Sequence, residues 1–153
     1  MDMISIEVVD LKEEINVVGL SYIKLGLPGT LESLEQMWNI YNEKYRGRVE
    51  NAAASAIDYG VSACILTNRH EYIAGCAVTE IGVLANDWAS FTVPPGKYIK
   101  FGPGDIKSVW DNHGNIKTWA KSNGVALNGD FEVEVYPDGV NGAEMYILQP
   151  IAE

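Results

Sequence analysis

The stretch Tyr22-Ile23-Lys24-Leu25-Gly26 returns in nearly the same form as Tyr98-Ile99-Lys100-Phe101-Gly102, 76 residues further along a chain of 153. A proline–glycine pair follows each copy, Pro28-Gly29 in the first half and Pro103-Gly104 in the second. Each predicted turn then leads into a run with helical spacing that contains a tryptophan. Three features that recur in one order at nearly one spacing indicate a structural unit that is present twice.

A later echo supports the repeat, because Tyr72-Ile73 near the end of the first half corresponds to Tyr146-Ile147 near the end of the second. The halves then cover about 1–82 and 83–153 of a single domain that fills residues 1–153. A repeated unit usually buries its apolar face against its copy, so we predict two halves related by a pseudo-two-fold axis. The seam between the halves is where we expect a ligand pocket.

The composition is that of an ordinary globular protein, with 47% apolar residues and a mean hydropathy of −0.04. No apolar run reaches the roughly 18–20 residues that a membrane-spanning helix needs. The first residues, Met1-Asp2-Met3-Ile4, carry an acidic side chain where a signal peptide carries basic ones. We therefore predict a cytoplasmic domain that makes no membrane contact.

The formal net charge is −10, with 21 acidic and 11 basic residues. Binding to nucleic acid depends on clustered Lys and Arg side chains that neutralise phosphates. This composition argues against direct DNA binding and favours a positively charged partner.

Metal and cofactor sites are not indicated by the cysteines and histidines. Cys64 and Cys76 match no metal-ligand spacing, and neither His70 nor His113 has further ligand types arranged around it. We expect no metal, no cofactor and two buried, reduced thiols.

Around each predicted helix the elements follow the order strand, helix, strand, strand, and this order occurs twice. Alternation and turn signals predict strands at 4–9, 15–25, 57–66, 72–81, 88–93, 97–101, 131–136 and 144–148, and helices from Thr30 to about Arg46 and from Asp105 to about Lys121. Hairpins between successive strands imply antiparallel pairing. The predicted class is α+β, a duplicated βαββ unit whose antiparallel sheet carries two helices.

An ordered set of short motifs carries a family resemblance. The set consists of Phe91-Thr92-Val93-Pro94-Pro95-Gly96-Lys97-Tyr98, a helix with Trp110 and Trp119, Phe131-Glu132-Val133-Glu134-Val135-Tyr136, and a closing Ile147-Leu148-Gln149-Pro150-Ile151. A looser match is Val18-Gly19-Leu20, which places a glycine after the opening strand. With these motifs the chain resembles the GyrI-like small-molecule-binding family, the effector-binding domain of AraC-type and MerR-type multidrug regulators.

The resemblance extends over the whole chain and implies a duplicated βαββ fold. In the regulators this domain is fused to a DNA-binding helix-turn-helix, whereas we expect a free-standing ligand binder here. Stand-alone members of the family include gyrase-inhibitory proteins, drug-binding proteins of integron cassettes and hydrolases that open strained rings.

Glu134 is the first candidate for a site residue, because it matches the position of the family's pocket acid. Strand alternation places Glu132, Glu134 and Tyr136 on one face and the intervening valines on the other. We predict that the apolar face packs against the helices and that the acidic face looks across the sheet. A carboxylate between aromatic walls would attract a cation by charge and by cation–π contact. The alternative is that the strand simply has a solvated side.

Aromatic residues are the second candidates. Tyr22 and Tyr98 occupy matching places in the repeat, so we expect them on opposite walls of one cleft. Four further aromatics on predicted strands are candidates to line it: Tyr59, Trp88, Tyr136 and Tyr146. The mid-helix tryptophans Trp38 and Trp110 are predicted to belong to the core. Eight tyrosines against three phenylalanines suit a partly hydrated cavity, since each hydroxyl needs a polar partner.

These features predict a binding protein for amphipathic, drug-like organic cations. A hydrolase that uses Glu134 as general base is an alternative, and no second titratable partner lies at a telling spacing from it. A protein-interaction module like the gyrase inhibitors is a further alternative, motivated by the net charge.

Overall fold

The computed structural model describes residues 4–28, 30–67 and 70–152, and within these ranges the chain forms eight strands and four helices. In chain order they are β1 Ile6–Leu11, β2 Ile15–Ser21, α1 Tyr22–Leu25, α2 Leu31–Lys44, β3 Asp58–Ala63, β4 Glu71–Val78, β5 Trp88–Val93, β6 Gly96–Gly104, α3 Ile106–Asp111, α4 Asn115–Ser122, β7 Glu132–Tyr136 and β8 Met145–Pro150. None of the helices in these ranges combines the length and the apolar character needed to cross a membrane.

All eight strands form one antiparallel sheet in the order β1-β6-β8-β7-β3-β4-β2-β5. The α+β class is thereby confirmed. The centre of the sheet is the pair β7 and β3, one strand from each half of the chain. The two edge strands are exchanged between the halves of the chain, since β1 of the first half pairs with β6 of the second and β5 of the second half pairs with β2 of the first.

The sequence repeat at residues 22–26 and 98–102 is not a repeat in local structure. The first copy forms the single-turn helix α1, whereas the second copy lies inside β6 between β1 and β8. The side chain of Ser21 caps α1 by accepting a hydrogen bond from the Lys24 amide, and Gly26 ends it in a left-handed conformation (φ 65°). The turn predicted at Pro103-Gly104 is instead the end of β6. In the first predicted turn, Gly29 lies outside the described residues.

Helix α2 begins as predicted, because Thr30 caps it by accepting a hydrogen bond from the Ser33 amide. The second predicted helix is instead divided into α3 and α4 by the segment 112–114. The imidazole of His113 leaves the helical path and lies 2.6 Å from the Glu132 carboxylate on β7. This contact fixes the corner between α3 and α4 against the sheet.

The two faces of the sheet bury different cores. On one face α2, α3 and α4 pack through residues such as Met37, Val109 and Ile116. The other face closes on itself, because the sheet curves. The ring centroid of Phe91 on β5 lies 5.1 Å from that of Phe131, next to β7. This self-packed face is made entirely of residues from strands and their connections.

The prediction for the faces of β7 was wrong. Val133 and Val135 belong to the self-packed face, whereas Glu134 and Tyr136 face the helices. The curvature of the sheet provides the apolar side chains with an apolar environment that needs no helix. The prediction for the cysteines was also wrong in part: both thiols are free, but Cys64 is exposed at the end of β3 and Cys76 is only half-buried.

Candidate ligand-binding site

A cavity of about 1190 Å³ lies between the helix-facing side of the sheet and helices α1, α2 and α3. It opens to solvent and exceeds the 300–1,000 Å³ of ordinary small-molecule pockets. Its lining consists of Tyr22, Thr30, Leu31, Leu34, Glu35, Trp38, Asn39, Asn42, Ser62, His70, Glu71, Tyr72, Ile106, Lys107, Trp110, Asp111, Glu134, Tyr136, Val140 and Asn141.

Glu134 is the most buried charged residue of this lining, with 5% of its surface exposed. Its Oε1 accepts two phenolic hydrogen bonds, from Tyr136 at 2.5 Å and from Tyr72 at 2.9 Å. The indole of Trp38 donates in turn to the Tyr72 hydroxyl at 3.0 Å. Within the described ranges no donor contacts the other carboxylate oxygen, Oε2. One oxygen of Glu134 is therefore held and the other is available.

Gly60 creates the space in which these groups meet. It lies opposite Glu134 in the register of β3 and β7. A Cβ atom at this position would lie 2.3 Å from the Tyr72 hydroxyl and 2.7 Å from Glu134 Oε1. Any side chain at residue 60 would therefore displace the phenol or the carboxylate.

Burial raises the pKa of Glu134 to about 7. The hydrogen bonds from Tyr136 and Tyr72 oppose this rise, because they stabilise the ionised form. Burial and the nearby carboxylate also raise the pKa values of both phenols, which stay protonated as donors. Glu134 is thus a carboxylate that changes its charge near neutral pH.

The charged lining is mostly acidic. Four carboxylates, those of Glu35, Glu71, Asp111 and Glu134, line the cavity together with one lysine, Lys107. That lysine pairs with Asp111 at 2.5 Å on the surface of α3. The remaining carboxylates give the cavity a negative potential that favours a cation.

Aromatic rings form much of the wall around Glu134: Tyr22, Trp38, Tyr72, Trp110 and Tyr136. Trp38 meets Tyr136 edge-on, with 5.8 Å between ring centroids. Such rings attract organic cations by about 0.5–2 kcal/mol each when well placed. Carboxylate and rings together make a setting in which a cation with apolar groups could be held.

Three of the seven residues predicted for the site meet at this cavity: Glu134, Tyr136 and Tyr22. Tyr22 reaches it from α1 rather than from a strand. Tyr59, Tyr98 and Tyr146 do not reach it, because all three pack on the opposite, self-packed face of the sheet.

The location of Tyr98 corrects the expected cleft. Ile99 and Phe101 do face the helices as predicted, and Tyr98 takes the other face. That face is a filled core, where Tyr98 is 1% exposed and donates a hydrogen bond to the Pro94 carbonyl at 2.5 Å. The two walls predicted for Tyr22 and Tyr98 therefore lie on opposite sides of the sheet.

The tryptophans also differ from expectation. Trp88 faces the helices but lines a separate cavity of about 180 Å³ beside Tyr45. Trp38 is buried as predicted and contacts the large cavity as well. Trp110 is 41% exposed and lines that cavity, so its assignment to the core was wrong.

Sequence reasoning missed Tyr72 and Gly60 as parts of the site. The sequence links Tyr72 to Tyr146 only by their matching places in the repeat, although the two lie on opposite faces of the sheet. The pairing of β3 with both β4 and β7 brings Tyr72, Gly60 and Glu134 together, and this pairing cannot be predicted from local sequence. A glycine at the centre of an otherwise regular strand was the one available signal.

The sequence of residues 9–149 matches the profile of the Cass2 family, described as integron-associated effector binding proteins. No curated protein sequence matches the chain significantly. Similar folds occur in solved structures at 15% identity. An integron cassette protein from the mobile metagenome of Vibrio cholerae superimposes with a TM-score of 0.62 over 96% of this chain and 95% of its own.

Two further structures have the same fold. The protein SAV2435, solved bound to tetraphenylphosphonium, has a TM-score of 0.66 at 15% identity and covers 97% of this chain and 94% of its own. The C-terminal domain of EcmrR has a TM-score of 0.71 at 15% identity, with 99% of both chains covered.

Proposed function

This chain belongs to the integron-associated effector-binding family, and from that premise we propose that it binds amphipathic organic cations in the cavity above Glu134. In this proposal Glu134 is the counter-charge, and the aromatic side chains that surround it hold the apolar groups of the ligand.

The observation that carries the proposal is the state of the Glu134 carboxylate. It is 95% buried at an open cavity, yet no lysine or arginine of the described ranges pairs with it. An unpaired buried carboxylate costs free energy, which an incoming cation would recover. The two phenols fix the orientation of the carboxylate and leave Oε2 for the ligand.

Size and charge support the same class of ligand. A cavity of about 1190 Å³ can hold a molecule with several rings, and its charged lining is mostly acidic. The related fold of SAV2435 was solved with tetraphenylphosphonium, a lipophilic cation, bound. This ligand is therefore a suitable first probe.

The experiment compares two ions of the same shape and opposite charge, tetraphenylphosphonium and tetraphenylborate, by isothermal calorimetry at pH 8. We expect saturable binding of the cation and at least tenfold weaker binding of the anion, because only the cation gains from Glu134. Equal binding of the two ions would contradict a cation-selective site.

Variants assign the selectivity to the residue. Glu134→Gln keeps the shape of the side chain and should weaken tetraphenylphosphonium binding at least about tenfold. Glu13→Gln, which removes the same charge from an exposed position away from the cavity, should leave binding within about twofold. Similar losses in both variants would mean that net charge, rather than Glu134, attracts the cation.

A hydrolytic role for Glu134 is a second candidate, favoured by its pKa of about 7 beside an open cavity. Styrene oxide is a strained electrophile that reports on such a role. Steady consumption by the wild type, lost in Glu134→Gln, would support hydrolysis, and reversible cation binding without consumption supports the binding protein alone.

A further inference from the structure

We propose that the cavity recognises elongated dications, with one positive group at Glu134 and the second at Glu35 on α2. This inference rests on the proposed function and specifies its ligand class. It depends on which of the lining carboxylates are free to meet a ligand.

Two of the four carboxylates are already engaged by the protein. Glu71 accepts hydrogen bonds from the Ser21 hydroxyl at 2.6 Å and from the amides of Ile23 and Tyr72 at 3.1 and 3.0 Å. Asp111 is paired with Lys107 at 2.5 Å. Glu71 is thus occupied in holding α1, and the charge of Asp111 is compensated within its own helix.

Glu35 is not engaged in this way. Its side chain is exposed, lines the cavity, and makes no hydrogen bond or ion pair with any residue of the described ranges. Among the described residues, Glu134 and Glu35 are therefore the lining carboxylates that pair with no cation and keep an oxygen free for a ligand, whereas both oxygens of Glu71 accept hydrogen bonds. Two separated negative charges in one cavity complement a ligand with two separated positive charges.

Glu35 and Glu134 lie apart on the lining of the same cavity, Glu35 on α2 and Glu134 on β7. Leu31, Leu34, Glu35 and Trp38 share the cavity-facing side of α2, as their spacing of three and four residues requires. Trp38 reaches the Tyr72 hydroxyl beside Glu134, and Glu35 lies almost one turn nearer the start of the helix. The apolar side chains of Leu31 and Leu34 suit a hydrocarbon segment that connects the two charges.

Two probes that differ in one charge test the proposal: decyltrimethylammonium, a monocation, and decamethonium, which carries a trimethylammonium group at both ends of the same ten-carbon chain. At low ionic strength and pH 8 we expect decamethonium to bind the wild type about three- to fivefold more tightly, as one exposed ion pair allows. In Glu35→Gln the advantage should disappear, with the affinity for decyltrimethylammonium changed less than about twofold.

Glu43→Gln is the matched control, because Glu43 lies on the same helix, is exposed and does not line the cavity. It should preserve the preference for the dication. Equal affinities of the two probes for the wild type, or equal effects of Glu35→Gln and Glu43→Gln, would overturn the proposal.

Failure of this inference can be distinguished from failure of the proposed function. If decyltrimethylammonium binding depends on Glu134 while decamethonium has no advantage, only the second anchor is wrong. If neither probe responds to Glu134→Gln, the cation site itself is wrong, and the role of Glu35 falls with it.

Discussion

Tyr136 donates its phenolic hydrogen bond to Glu134, the residue two positions before it on the same strand, with 2.5 Å between the oxygens. Alternate residues of a strand share a face, so the pair forms without any chain reversal. The bond favours the ionised carboxylate against the effect of burial. The strength of the counter-charge is therefore adjusted by a neighbour that also lines the cavity.

Replacing Tyr136 with Phe should raise the pKa of Glu134 further, by about one unit, because one charge-stabilising hydrogen bond is lost. The affinity for tetraphenylphosphonium at pH 7 should fall with it, and recover in part at pH 9. The pKa is measured from the carboxyl carbon shift in NMR spectra. Tyr59→Phe, on the opposite face of the sheet, is the control and should change neither quantity.

Cation affinity should depend on pH through Glu134. With a pKa of about 7, most of the carboxylate is ionised at pH 8 and about a tenth of it at pH 6. If the ionised form binds, affinity should fall about tenfold between these values. Calorimetric titrations across this range test it, and a flat profile in wild type would contradict it. The Glu134→Gln variant should give a flat profile.

Stability should show the opposite pH trend at the same residue. The folded state raises the pKa of Glu134 above its ordinary value of 4.5, so the folded protein binds this proton more tightly than the unfolded chain does. Its contribution to stability is full below about pH 4.5 and is lost as pH rises to 7, a change of about 3 kcal/mol. Urea unfolding of wild type and Glu134→Gln at several pH values measures this contribution of Glu134 to the free energy of unfolding.

Gly60→Ala should damage the site and the fold together. The added methyl group would overlap the Tyr72 hydroxyl and Glu134 Oε1, and we expect a loss of about 1–3 kcal/mol in the free energy of unfolding. Cation binding should weaken because the carboxylate or its donor must shift. Gly114→Ala is the control, since a methyl group there meets no atom within 4 Å. Equal stability of both variants would show that the site can relax.

Tyr98→Ala should cost stability and leave binding intact. Its ring is 1% exposed in the self-packed face, so its removal should lower the free energy of unfolding by about 3–5 kcal/mol. Affinity for tetraphenylphosphonium, measured below the unfolding temperature of the variant, should stay within about twofold. A selective loss of affinity would place Tyr98 at the ligand after all.

Strand alternation predicted that Glu134 and Tyr136 share a face and that Val133 and Val135 share the other, and both statements are confirmed. It could not decide which face meets the helices, because a period of two carries no information about what lies beyond the strand. That choice depends on the curvature of the whole sheet, which gives the valines a core of their own.

The helix α1 shows the same limit in a different way. Its five-residue stretch nearly equals one that forms a strand, and the difference comes from remote partners. Glu71, 48 residues away, accepts a hydrogen bond from the Ile23 amide, and Ser21 caps the turn. Local sequence cannot report such contacts, although they place Tyr22 at the cavity.

The exchanged outer strands have a consequence for how the protein can be assembled. Among the described strands, β1 of the first half pairs only with β6 of the second half, and β5 of the second half pairs only with β2 of the first. A chain divided near residue 82 would therefore separate both of these strands from their partners. Each fragment would keep three mutually paired strands, but β1 in one fragment and β5 in the other would have no strand to pair with. The two halves should therefore fold as one cooperative unit, and co-expressed fragments should complete the eight-stranded sheet only when they associate.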